Sequence, residues 1–495
     1  MTQTGSPIPP AGYHPPDLVL LGARELSEAI RSRRVSCREA MTAYLDHIEA
    51  LNPTFNAIVS LRDRETLLAE ADARDAELAR GRYRGWLHGI PHAVKDLAPT
   101  RGLRTTLGSP LYRDHVPEVD AIFVERLRGR GAIIIGKTNT PEFGLGSQTY
   151  NSLFGVTRNA YDPAATAGGS SGGAAVALAL RMLPVADGSD MMGSLRNPAA
   201  YNNVIGFRPS FGRVPHGPGK DVFIQQFATE GPMGRSVADA AALLATLAGY
   251  DRRTPLALDE DPRRFSGPLE RDFSGLRIGW LGDWDGHLPI EPGVMALCER
   301  ALATFGEIGC TVEPARPDFP PGRLWETWLT LRQWMVAGQL REHFQDPAQH
   351  ERLKPEARWE VERGLALTAM DVHRASAARS EWYHALCRLF ESCDYLVMPS
   401  AQLFPFDAAM HWPAAVNGVA MDTYHRWMEI VVPGSLSGGP TINVPAGFSE
   451  KGLPMGLQIL GPARADWDVL QIAHAYELAS GWTRRAPTPV TGEGL

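Results

Sequence analysis

Apolar positions recur along the first part of the chain with helical spacing. Met41, Leu45 and Ile48 follow one another at four and three residues and set one apolar stripe on a helix. Ser36 and Glu39 stand ahead of that stripe in the order of a capping box, where each side chain satisfies the other's free backbone donor. Asn52-Pro53 is expected to stop this helix. Residues 63–80, rich in Ala, Glu, Leu and Arg, predict a second, solvated helix. From about residue 88 to about 250 the pattern changes: short β-prone runs such as 132–135 alternate with helical stretches, and glycine is dense. That alternation predicts an α/β domain built on a sheet. Residues 168–173 form a Gly/Ser loop that opens onto a run of Ala, Val and Leu, a strong helix former. Residues 275–280, 441–446 and 457–460 read as further strands, and the polar, Pro- and Arg-rich stretch 252–275 as a surface connection. Leu324, Trp328, Leu331 and Met335 keep helical spacing in a segment that also holds Trp325 and Trp334. This stripe is expected to pack in the core; the alternative is a wall of an apolar substrate cleft.

Composition narrows the class. The chain has 495 residues, 44% apolar and 21% charged, which excludes a disordered, collagenous or coiled-coil protein. A net charge of −7 gives no electrostatic footprint for nucleic acid. The five cysteines are scattered, without a CxxC pair, and suit neither a disulfide framework nor a structural zinc site. The N-terminal stretch has no basic start and no apolar run, so no secretory signal is expected. No window approaches 18 uncharged apolar residues. A cytoplasmic protein is the expectation, with residues 1–17 as a loose, Pro-rich arm.

Two motif matches fail on context. Residues 131–138 fit the phosphate-loop pattern GxxxxGK[ST], but the loop positions are Ala-Ile-Ile-Ile, which prefer a strand, and Asn-Thr-Pro follows instead of a helix. The expectation is a buried strand ending at Gly136, with Lys137 in the turn. Residues 168–172 fit the nucleophile elbow G-x-S-x-G, but 161–167 are a poor strand to lead into it. His88 and His92 lie four apart without a third ligand, so no metal is expected. Taken alone, Lys95 reads as a solvated surface residue, although the apolar Ala93-Val94 before it also suits a buried strand end.

A third match is long and spaced. Residues 168–199 read GGSSGGAAVALALRMLPVADGSDMMGSLRNPA. This stretch resembles the amidase signature family: a Gly/Ser loop, a helix, then a second loop ending in Ser-x-Arg-x-Pro, here Ser194-Leu-Arg196-Asn-Pro198. Ser170 and Ser194 lie 24 residues apart, as that pattern requires. GIPHAVKD (89–96), GKTNTPEF (136–143), GPMGRSVAD (231–239) and GGPTINVPAG (438–447) are similar to the family's other motifs. The resemblance covers about 20–250 and 430–475 and is weak over 251–430.

The resemblance implies a single domain over residues 18–495, with a mixed central β-sheet surrounded by helices and 251–430 as the substrate-determining region. It implies hydrolysis of a carboxylic amide without a cofactor. Ser194 would be the nucleophile, Ser170 the relay after a cis peptide bond, and Lys95 the base. A serine nucleophile needs such a base, and burial is what keeps a lysine neutral. Backbone N–H groups of Met191, Met192, Gly193 and Ser194 would form the oxyanion hole. Ser171 would support the relay; the alternative is a cap on the following helix. Asp190 and Arg196 would pin the loop. Met192 stands where the family usually has glycine, and its side chain is expected on the acyl side of the cleft, with the core as the alternative. An apolar or aryl substrate is expected. The partners implied are a small-molecule amide or carbamate, with a homo-oligomer left open and neither nucleic acid nor membrane. Three other readings stay open: a urethane hydrolase on the same machinery, the glutaminase component of a tRNA-dependent amidotransferase, and a catalytically dead binding protein.

Overall fold

The computed structural model describes residues 13–224 and 227–491. Ten strands position the site: β1 (Pro91–Lys95), β2 (Ile133–Thr138), β3 (Val185–Asp190), β4 (Ile205–Arg208), β5 (Thr229–Gly234), β6 (Arg277–Trp280), β7 (Thr311–Pro314), β8 (Tyr395–Pro399), β9 (Thr441–Phe448) and β10 (Pro454–Leu460). Eight of them form one sheet in the order β7-β6-β8-β10-β9-β4-β5-β3. The pairs β7/β6 and β6/β8 are parallel and the rest antiparallel, so the sheet is mixed. β1 and β2 pair in parallel in a separate small sheet. Every residue of β8 and β10 is buried. Helices cover both faces there, and the strands therefore read as near-continuous apolar runs instead of alternating. Among the described residues no helix is long and apolar enough to cross a membrane.

Local chemistry explains the helices that frame the site. α1 (Cys37–Phe55) begins with the expected capping box at Ser36 and Glu39. It does not stop at Asn52-Pro53 but runs to Phe55. Asn52 makes this possible: its side chain accepts from the Ala57 and Ile58 N–H groups beyond the helix end, and Asn56 closes the turn in the left-handed conformation. α2 (Gly172–Ala179) is buried on every side, as its uniformly apolar sequence requires. A Cβ on Gly173 would lie 2.4 Å from the Asn139 nitrogen and 2.5 Å from the Ala57 oxygen, so only glycine fits where this helix crosses its neighbours.

Other expectations need correction. Residues 1–12 lie outside the described residues, but Tyr13 is held by its hydroxyl against His47 Nδ1, and a short helix starts at Asp17. β2 does not end at Gly136. It continues through Lys137 to Thr138, because β1 and the strand pair Ile58–Val59 hydrogen-bond both of its edges. Lys137 is fully buried in that strand, and its Nζ donates to the Ala98 carbonyl (2.7 Å) and the Thr100 hydroxyl (2.8 Å). Lys137 is thus a strut between β2 and the chain after β1. Lys137→Ala is expected to cost about 2–4 kcal/mol, since it opens a cavity and strands two acceptors. Urea unfolding measures this; a loss below about 0.5 kcal/mol would show that the strut carries no load.

Candidate active site

Lys95 ends β1 and is 1% exposed. The carboxylate of Asp187, on β3, accepts the Lys95 backbone N–H at 3.1 Å and faces His92 Nε2 at 2.8 Å. Asp187 therefore ties β1 to the edge strand of the main sheet. The Lys95 Nζ lies 2.8 Å from Ser170 Oγ, 2.8 Å from Ser171 Oγ and 3.0 Å from Ser189 Oγ. Burial lowers the lysine pKa to about 7, against the opposing pull of Asp187, Asp190 and Glu230. A neutral amine has two N–H groups and one lone pair. Among three hydroxyls it therefore accepts from one of them, and that hydroxyl becomes the more nucleophilic or the better proton carrier.

The Gly169–Ser170 peptide bond is cis, as the resemblance implies. Ser170 and Ser194 are 3% and 7% exposed and line the same cleft as Lys95. The Ser171 N–H donates to the Ser194 carbonyl at 3.2 Å, which fixes the two loops against each other. Ser171 is the N-cap residue of α2, but its side chain makes no capping bond and turns to Lys95 instead.

The loop after β3 is held from below. Asp190 accepts from the Gly193 N–H (2.8 Å), the Leu195 N–H (3.1 Å) and a bidentate Arg196 (3.0 and 3.1 Å). Burial would raise this carboxyl, but Arg196 and Arg208 hold it down at about 2. Arg196, itself fully buried, also donates to the Val431 carbonyl, Gln458 and Ser435. Gly193 sits at φ +75°, and a Cβ there would lie 2.8 Å from Val431 Cγ1. Since the Gly193 N–H is committed to Asp190, the N–H groups of Met191, Met192 and Ser194 are the ones with no acceptor among the described residues.

Both methionine side chains are accounted for. Met192 does not reach the cleft; it is 3% exposed and packs in the main core. Met191 lines the cleft, with its sulfur 3.4 Å from an Arg332 nitrogen. The reason is local: consecutive side chains in this turn point to opposite sides, and the core takes the second. The tryptophan stripe is likewise core, with Trp325 and Trp328 at 3% and 0% exposure. The flank of the same helix beside that stripe, α3 (Pro321–Gln345), reaches the cleft through Arg332, Val336, Gln339, Leu340 and His343. The cleft has a volume of about 310 Å³, in the range of small-molecule sites. His88 and His92 do not converge: His88 bonds the Arg74 carbonyl and the Arg84 N–H, whereas His92 bonds Asp187.

Sequence reasoning missed Ser189 and Asp187, which share one face of β3 two residues apart and both reach Lys95. The period-two spacing of Asp187 and Ser189 along this strand was the available signal. It also missed Arg332, His216 and Glu230, which line the cleft from distant segments.

The sequence profile of the amidase family matches residues 39–470. This chain belongs to the amidase signature family. It is an amidase, a hydrolase of carboxylic amide C–N bonds. An acylamidase of Rhodococcus erythropolis is 34% identical over 474 residues, covering 94% of this chain and 97% of that protein. A glutamyl-tRNA(Gln) amidotransferase subunit of Thermosynechococcus vestitus is 33% identical, covering 94% of this chain and 99% of that one. Among solved structures, a bacterial aryl acylamidase of the amidase signature family superposes with a TM-score of 0.89 at 29% identity, over 96% of this chain and 99% of that one. In this amidase the two neighbouring methionines go to different places, and that can be measured. Met192→Ala is expected to cost about 2–5 kcal/mol of stability without altering the ranking of acetyl and benzoyl anilides. Met191→Ala is expected to alter that ranking with a smaller stability loss. The reverse pattern in thermal unfolding and kcat/KM would put Met192 in the cleft.

Proposed function

We propose that this amidase cleaves amides with an apolar group through a Ser194–Ser170–Lys95 relay. One observation carries the reading: a buried lysine, its pKa lowered to about 7, lies 2.8 Å from Ser170 Oγ in the wall of the cleft that Ser194 also lines. Ser194 Oγ attacks the carbonyl carbon while its proton passes to Ser170, whose own proton passes to Lys95 Nζ. The tetrahedral oxyanion is met by the free N–H groups of Met191 and Met192; such donors are worth several kcal/mol of barrier. Gly193, whose N–H is bound to Asp190, contributes the backbone turn that aims them. The relay then runs backward: Lys95 returns a proton through Ser170 to the nitrogen as the C–N bond breaks. The amine departs, and Ser194 is left acylated. Water enters, gives its proton to the same path and releases the acid. Ser171 and Ser189 hold Lys95 Nζ in place throughout.

The cleft supports an apolar substrate, since Leu97, Leu107, Leu145, Val336 and Leu340 line it. In this reading the segment 251–430 sets substrate choice, because α3 lies within it and forms one wall. The acylamidase relative agrees with that class. Glutamine, a zwitterion, is less suited: the guanidinium of Arg332 is taken up by Glu360 and Tyr424. A carbamate presents the same carbonyl to the same relay, and aryl carbamates are the second substrate class.

A fluorophosphonate should leave its adduct on Ser194, read by peptide mass spectrometry; an adduct on Ser170 or Ser171 would reject the assignment. Lys95→Ala should lower kcat/KM for an anilide by at least about a thousandfold, and His92→Gln by far less. Because the base must be neutral, kcat/KM should climb with pH across an apparent pKa near 7 and level off above it. A profile that falls over this range, or full activity in Lys95→Ala, contradicts the relay. A panel of anilides, aliphatic amides, glutamine and aryl carbamates ranks the substrate classes.

A further inference from the structure

One part of the cleft wall is aromatic and has no role in the relay. Tyr112, Phe143 and His343 all line the cavity, each half-buried. The Phe143 and His343 rings are nearly parallel, with an interplanar angle of 21° and centroids 6.4 Å apart. Tyr112 stands edge-on to both, at 85° and 86°. The rings come from three separate segments, so their convergence is a product of the fold.

The group is also held rigidly. The Tyr112 hydroxyl donates to His343 Nε2 at 2.9 Å, and His343 Nδ1 donates to Gln349 Oε1 at 2.6 Å. These two bonds fix both the tautomer and the plane of the imidazole. Phe143 has φ +52° and ψ +18°, a left-handed conformation that a bulky side chain adopts only when its surroundings enforce it. Backbone bonds enforce it here: Phe143 N–H donates to the Leu107 carbonyl, and Gly144 N–H to the Pro141 carbonyl. Strain of this kind collects where a side chain must be aimed.

The position of the group says which part of a substrate it meets. A Cβ built on Gly144 would lie 3.5 Å from Ser170 Oγ, so Phe143-Gly144 flanks the relay serine. Ser170 hands the proton to the departing nitrogen, and the substituent on that nitrogen must lie beside it. Met191, on the loop of the nucleophile, lines the same cleft. We propose that Tyr112, Phe143 and His343 form a subsite for the aryl ring carried by the departing amine, which makes N-aryl and N-arylmethyl amides the preferred substrates. The assignment of side rests on the relay proposed above; the affinity for an aromatic ring does not.

Matched N-benzyl and N-cyclohexylmethyl amides of one acid isolate the ring from the reactivity of the amine. The wild-type enzyme is expected to favour the benzyl amide by about threefold or more in kcat/KM, from ring–ring contacts alone. In Phe143→Leu, which keeps the backbone strain and most of the volume, that ratio is expected to fall towards one. The ratio of benzoyl to cyclohexanecarbonyl amides of a common amine is expected to stay as it was. A benzyl preference that survives Phe143→Leu would overturn the subsite, and a change confined to the acyl pair would move it to the other side of the cleft. Binding of benzyl alcohol and cyclohexylmethanol to the wild-type protein, followed by calorimetry, needs neither turnover nor a variant. Tighter binding of the aromatic alcohol is expected; equal binding would refute the subsite even if the hydrolytic reading stands. Tighter binding with neither amide hydrolysed would keep the subsite and reject the relay.

Discussion

The cost of burying the Lys95 ammonium is the constraint on which the site depends. An isolated charge in this position would be strongly disfavoured, and the group responds by losing its proton near neutral pH. Everything around it serves that balance. Three hydroxyls and one carbonyl can exchange hydrogen bonds with a neutral amine, whereas the nearest carboxylates act at a distance and keep the pKa from falling further. A base poised near the working pH is the most effective one. Had Asp187 approached Nζ directly, the lysine would have stayed charged and useless as a base. Its carboxylate instead takes the backbone N–H of Lys95 and the ring of His92.

A second buried ionic cluster gives the nucleophile loop its shape. Asp190 gathers two backbone N–H groups and Arg196, and Arg196 reaches Val431, Ser435 and Gln458 on the far side of the loop. Removing one partner of such a cluster typically costs about 3–5 kcal/mol, because the other charge is left buried. The cluster also withdraws the Gly193 N–H from the site and leaves its neighbours' N–H groups open. Rigidity and donor direction thus come from one set of bonds.

The sheet strands at 441–446 and 457–460, the capped helix at Ser36 and the Gly/Ser loop could be read from the chain because each is specified locally, by apolar runs, a capping pair or glycine. The end of α1 could not, since the Asn52 side chain takes up the Ala57 and Ile58 N–H groups just beyond a helix that runs past Pro53. Lys137 read as a turn residue for a similar reason: lysine in a strand interior is unusual, and only Ala98 and Thr100, distant in sequence, make it stable there. The resemblance supplied Lys95, Ser170 and Ser194 together, whereas spacing alone left Lys95 as a surface residue. Met192 was misplaced because a one-residue shift in a turn exchanges cleft for core. The aromatic wall and Arg332 were invisible, for they meet only after 112, 143 and 332–343 have folded together.

The central claim is that Lys95 gives up its proton near pH 7 in the resting enzyme. The chain has only five lysines, so a protein labelled with nitrogen-15 at the lysine side chains gives few Nζ resonances. The Lys95 signal is the one missing from Lys95→Met. The account predicts that this resonance titrates near pH 7, more than three units below an ordinary lysine. A Lys95 resonance that remains that of an ammonium up to pH 10 would contradict it.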